Sequence, residues 1–151
     1  MTRPSRVRGA MAAAVLGVCA APALGCNAPV PADLFVVQRS GSIPGARLTL
    51  RLTDDGGAYC NGGARHEITS AQLLEARGLR RDLDGEQDQD NGLAERHLDL
   101  PPGRVSTLSY RVRSENGTVA FSDTSPHQPH AFYEIAKLTR DIARGACGLP
   151  R

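Results

Sequence analysis

The spacing of apolar residues along the chain changes period several times, and each change marks an element. "LFVVQR" (Leu34 to Arg39) is a continuous apolar run with β-branched residues, the pattern of a buried strand. "SGSIPG" (Ser40 to Gly45) is a turn cluster with two glycines and a proline. In "ARLTLRLT" Leu48, Leu50 and Leu52 face one way and Arg47, Thr49, Arg51 and Thr53 the other, which predicts a half-buried strand. "DDGG" turns the chain, "AYCN" is a short strand carrying Cys60, and "GG" turns again before a brief "ARHEI". The period then lengthens. Leu73, Ala76, Leu79 and Leu83 recur at helical spacing with Leu74 beside them. Thr69 and Gln72 have the spacing of a capping box, in which each side chain satisfies the other residue's free backbone N–H.

The second half repeats the alternation. Leu108, Tyr110 and Val112 share one face of "STLSYRVR", Asn116-Gly117 is a hairpin signal, and "TVAFSD" returns with Val119 and Phe121 inward. A second helix runs from near His130 to Arg144 with Phe132, Ile135, Leu138 and Ile142 on one face, and Gly145 stands where a capping glycine belongs. Hairpin, short strand, helix, hairpin, helix predicts an α+β domain. Its antiparallel sheet has four to five strands, with two helices on one face. The other face, bearing Arg47, Thr49, Arg51, Arg111 and Arg113, is left to solvent or a partner.

Residues 1–25 stand outside this pattern. Arg3, Arg6 and Arg8 precede an apolar run from Gly9 to Gly25 that ends in the small residues "APALG". That order is a secretory signal peptide. The run is shorter than the roughly 20 apolar residues a membrane span needs and is broken by Pro22. Without the three leader arginines, 15 of the 18 Lys and Arg remain against 16 Asp and Glu, so the formal charge of +2 becomes about −1. No basic patch with interleaved aromatics points to nucleic acid. Residues 26–33, "CNAPVPAD", form a short tether, and residues 34–151 form a single domain.

Of four cysteines, Cys19 lies in the leader, which leaves Cys26, Cys60 and Cys147. In an oxidising compartment Cys60 and Cys147 are expected to pair, and Cys26 is the odd thiol. The chain-entropy model gives a bridge closing so long a loop about 4–5 kcal/mol.

Candidate chemistry is sparse. Asp84, Glu86, Asp88, Asp90 and Glu95 fall at positions 1, 3, 5, 7 and 12 of a loop, a calcium-like spacing, but Gln89 holds the position where the sharp turn needs glycine. A solvated acidic loop is the simpler expectation, and no metal or other cofactor is assigned. His66-Glu67 lacks a second histidine four residues on, because Ser70 stands there. His127 and His130 flank Pro129 in a surface loop, and "NGT" at Asn116 is read as the hairpin turn rather than a glycan acceptor. No serine sits in a nucleophile elbow, so no catalytic residue is assigned and an enzyme is not expected. The remaining candidate is the hairpin loop, where Gly41, Ile43, Pro44 and Gly45 could present an exposed apolar tip to a partner.

Two resemblances follow. "ALGC" (Ala23 to Cys26) resembles the lipobox of bacterial lipoproteins, with Gly25 as the small residue before the cysteine and Ala23 where leucine is preferred. It implies that Cys26 is acylated, becomes the mature N-terminus and fixes the protein to the cell envelope; ordinary cleavage at "ALG" or "APA" is the alternative. The stretch from "VVQRSGSIPG" to the last helix is similar to the emfourin family. The similarity lies in the strand ending at Arg39, the Gly41 to Gly45 turn, the Leu-rich helix, "YRVRSENGTVAFSD" and the closing helix. Ser42 interrupts the paired glycines usual in that turn, and the leader and cysteine pair are additions. The likeness implies a small proteinaceous inhibitor of protealysin-like, thermolysin-type metallopeptidases. The expected function is therefore an exported, non-catalytic protein-binding domain, in its specific form a metallopeptidase inhibitor whose partner is a secreted or envelope peptidase. An envelope accessory lipoprotein and a small calcium-binding protein are the alternatives.

Overall fold

The computed structural model describes residues 31–86 and 91–149. The leader, Cys26 and most of the tether lie outside the described residues, as do Asp88 and Asp90. Eight elements follow in order: β1 (Asp33–Gly41), β2 (Leu48–Thr53), β3 (Gly57–Cys60), β4 (Arg65–Glu67), α1 (Ser70–Asp84), β5 (Leu108–Arg113), β6 (Thr118–Ser122) and α2 (His130–Gly145). The strands form one antiparallel sheet in the order β4-β3-β2-β1-β5-β6. The chain is α+β as expected, with six strands rather than four to five. The extra strand is β4, whose three residues are all exposed, so no apolar alternation announces it.

β1 lies at the centre of the sheet and meets both halves of the chain. Val37 pairs with Leu50 on one side and Val112 on the other, and all three side chains are fully buried. The continuous run "LFVV" does not make a strand buried on both faces. Leu34 and Phe35 are both buried because a bulge between Asp33 and Phe35 shifts the register there. Beyond it the strand alternates: Val36 is half-buried, Val37 buried, Gln38 exposed and Arg39 buried.

Both helices cover the inner face. Ala76, Leu79 and Leu83 of α1, and Phe132, Ile135, Leu138 and Ile142 of α2, join one core with Leu48, Leu50, Leu52, Tyr110 and Phe121. Tyr110, Phe121 and Phe132 stack in series, with centroids 5.2 Å and 4.4 Å apart. Such stacks add about 0.5–1.5 kcal/mol each beyond their area. Leu74 is turned away from this face and is 66% exposed.

The capping box opens α1: the Gln72 N–H donates to Thr69 Oγ1 at 3.2 Å, and the Thr69 N–H donates to Gln72 Oε1 at 3.0 Å. Gly145 is the last residue of α2 rather than its left-handed cap. The chain continues in αR geometry at Ala146, and the glycine with positive φ is Gly148.

Two fastenings close the domain. Cys60 and Cys147 are disulfide-bonded, tying the segment after α2 to β3. The strap Leu98–Leu100 lies along the free edge of β6: the Leu100 N–H donates to the Ala120 carbonyl at 2.9 Å, and the Ala120 N–H to the Leu98 carbonyl at 2.8 Å. At the opposite edge β4 carries the charged pair Arg65 and Glu67, 2.7 Å apart, which disfavours edge-to-edge pairing. Among the described residues, no helix is long and apolar enough to cross a membrane.

Candidate functional site

The hairpin loop between β1 and β2 is built on Arg39. Alternation places Arg39 on the inner face, where it is 2% exposed. No carboxylate among the described residues compensates it. Instead its Nε donates to the Ala46 carbonyl at 2.9 Å and its Nη2 to the Gly45 carbonyl at 2.8 Å, while Nη1 has no partner. Burial lowers the guanidinium's pKa, the neighbouring Tyr110 raises it and Arg140 lowers it further. Burial pushes the Tyr110 phenol up, against the pull of Arg140 and Arg39, and its hydroxyl makes no hydrogen bond of acceptable geometry. Charge-assisted bonds of this kind are worth about 1.5–3 kcal/mol each, and here they fix the backbone of the turn.

The rest of the loop is held from a second direction. The Ser42 N–H donates to the Thr107 carbonyl at 3.1 Å, and the Ala46 N–H closes the turn on the Ile43 carbonyl at 3.1 Å. A Cβ on Gly41 would sit 2.1 Å from the Thr107 oxygen, so only glycine allows this approach. Ile43 is not the exposed tip that the sequence suggests. It is partly buried and packs against the core, which leaves Ser42 and Pro44 as the outward residues.

Thr107 belongs to the connection Gly103–Thr107, which is itself clamped by Asp123. The Asp123 carboxylate accepts from Ser106 Oγ at 3.0 Å, Thr107 Oγ1 at 2.6 Å, the Thr107 N–H at 3.2 Å and the Leu108 N–H at 3.2 Å. Burial raises the Asp123 pKa, but these donors outweigh it and the net shift is downward. At its other end the connection passes close to Thr124, where a Cβ on Gly103 would meet the Thr124 carbonyl oxygen at 2.2 Å. Between these clamps the turn Arg104–Val105 projects, with Val105 77% exposed.

The other candidate residues are dispersed or committed. Asp84 Oδ1 accepts from the Asn116 N–H at 3.0 Å, and the Asp84 carbonyl accepts from Asn116 Nδ2 at 2.9 Å. Asp84 thus docks the β5–β6 turn on the end of α1. Glu86 lies 3.9 Å from Arg81, and Glu95 is exposed. Among the described residues, no group of three or more His, Cys, Asp or Glu is placed to hold a metal ion. His66 is exposed on β4, and His130 Nδ1 lies 3.5 Å from Glu134. The outward sheet face carries Thr49, Arg51, Arg111 and Arg113 as expected. Arg51 stacks on Tyr59 at 3.9 Å and pairs with Asp33 at 3.1 Å.

No family model matches the chain, and comparison with the curated proteins and with the solved structures found no match. The disulfide agrees with an oxidising, extracytoplasmic setting.

Two outcomes test this geometry. Arg39→Met keeps the volume and removes both loop bonds. It should change global stability by less than about 2 kcal/mol, because burying the charge was itself costly. Amide exchange at Ser42 and Ala46 should nevertheless accelerate strongly; unchanged protection there refutes the clamp. Asp123 is held below its unfolded value of about 3.9, so its stabilisation is complete above that range and is lost as pH falls through the lower folded value. The stability gap between the wild type and Asp123→Asn, measured by urea unfolding, should therefore be largest near neutrality and shrink in acid. A gap that widens in acid refutes it.

Proposed function

We propose that this is an exported protein-binding domain that inhibits a thermolysin-type metallopeptidase by presenting the Gly41–Gly45 loop as a rigid steric plug. One observation carries the reading: the loop is fastened from inside by Arg39 and from the side by Thr107 before any partner arrives. A loop that is already ordered loses little entropy on binding, and a strained or mobile one would be cut. The resemblance of the Arg39 strand, the Gly41–Gly45 turn and the two-hairpin, two-helix order to emfourin suggests the class of target. The disulfide suits a domain that must survive among secreted peptidases.

The inhibitor should lower the activity of a thermolysin-type peptidase at near-stoichiometric concentration and remain uncut. Pro44→Glu, at the exposed apex of the loop, should weaken it by about tenfold or more. Inertness of the wild type against a panel of such peptidases sinks the proposal.

We further propose that Cys26 carries a lipid and that residues 26–33 tether the domain to the envelope. Intact mass should show acylation, and the protein should enter the detergent phase; Cys26→Ser should abolish both. An unmodified chain beginning at Leu24 or Cys26 in the soluble fraction refutes the anchor.

A further inference from the structure

The loop tip is not alone at its end of the sheet. Gly41 of β1 faces Leu108 of β5, so the β1–β2 loop and the Gly103–Thr107 connection emerge side by side, joined through the Ser42 to Thr107 hydrogen bond. Val105 is the most exposed large apolar residue among those described, at 77%. It is also not on a loose segment, because the Asp123 carboxylate and the close approach of Gly103 to Thr124 fix both ends of its turn. A single exposed valine is ordinary. A valine held out on a doubly clamped turn beside another clamped loop is an arrangement that conserves entropy for a contact.

The two loops themselves carry charge of one sign. "SGSIPGAR" (Ser40 to Arg47) and "PPGRVST" (Pro101 to Thr107) contain no acid, and each contributes one arginine. Arg47 and Arg104 are both exposed, and neither makes an ion pair among the described residues. Of the nearby acids, Asp123 is consumed by hydroxyl and amide donors beneath the turn, and Asp99 lies on the outward face, in the groove it shares with Ser40 and Pro102. The tip therefore offers a small apolar knob next to Arg104, with Arg47 at the end of the adjoining loop, and neither guanidinium is ion-paired among the described residues, although the mature chain as a whole is close to neutral.

We propose that the Arg104–Val105 turn is a second contact element of the inhibitory surface. Val105 seats in an apolar pocket of the target peptidase, and Arg47 and Arg104 pair with acidic residues on the rim of that pocket. This rests on the inhibitory reading of the adjacent loop and extends it to a two-loop surface. A buried apolar anchor governs dissociation, whereas rim charges govern encounter. The two parts of the surface should therefore separate kinetically.

The test uses the whole mature domain and the thermolysin-type peptidase that the wild type inhibits. Val105→Asp should raise the inhibition constant by about tenfold or more, mainly through faster dissociation. Arg47→Glu combined with Arg104→Glu should slow association and flatten its dependence on ionic strength. All three side chains are exposed, so unchanged thermal midpoints are expected and exclude misfolding as the cause. If both variants inhibit like the wild type while Pro44→Glu does not, the second element is overturned and the first loop stands. A loss in only one of the two variants overturns the composite surface. Wild type that inhibits no member of the panel overturns both proposals. Binding of the wild type to anionic phosphatidylglycerol vesicles that Val105→Asp abolishes would assign the tip to a lipid surface and overturn the peptidase pocket.

Discussion

The fold turns on a charge buried without a counter-charge. Arg39 sits at the inner face of the central strand, and among the described residues its positive charge is met only by the two carbonyl oxygens of Gly45 and Ala46. An isolated buried guanidinium is costly, and the carbonyl bonds it makes offset that cost only in part. The chain bears that cost at one position, and the return is local. A six-residue hairpin connection, Ser42 to Arg47, which would otherwise sample many conformations, is drawn down onto its own strand. Ile43 follows inward onto the core, and Ser42 and Pro44 are left outside.

The same point links the two halves of the chain. Arg39 pairs across the sheet with Leu48 on one side and Tyr110 on the other. Tyr110 begins the aromatic stack that runs through Phe121 to Phe132 on α2. The loop clamp is therefore continuous with the packing of the core rather than an ornament at its edge. Two residues along, Gly41 brings the backbone against Thr107, and Asp123 fixes Thr107 from the other side. Both loops at this end of the sheet thus draw their order from β1 and from the carboxylate that follows β6.

Much of this architecture is legible in the sequence because it rests on periodicity. The alternation of Leu48, Leu50 and Leu52, the helical spacing of Ala76, Leu79 and Leu83, and the capping pair Thr69 and Gln72 each specify their element locally. The Cys60–Cys147 pair follows from counting. What escapes is whatever depends on contacts distant along the chain. β4 has no apolar face, so it exists only because β3 offers it an edge. Asp84 has the spacing of a calcium ligand, yet it docks a hairpin 32 residues away. The burial of Arg39 was latent in the alternation Phe35, Val37, Arg39, but the apolar run ahead of it conceals that alternation until the bulge near Asp33 is known. Val105 gave no signal, since exposure at a clamped turn is a property of the clamps.

The position of the tip bears on the proposed anchor. β1 is nine residues long, with Asp33 at one end and Gly41 at the other. At a rise of about 3.3 Å per residue those ends are roughly 26 Å apart. The tether enters at Asp33, and the clamped loops leave at Gly41. A lipid on Cys26 would therefore hold the domain by the end of the sheet opposite to the loops. The seven tether residues ahead of Asp33 could add up to about 25 Å when extended. The proposed anchorage at the N-terminus and the proposed inhibition at the loop tip are then mutually compatible: the surface that would meet a peptidase would be directed away from the membrane, where a secreted enzyme would arrive.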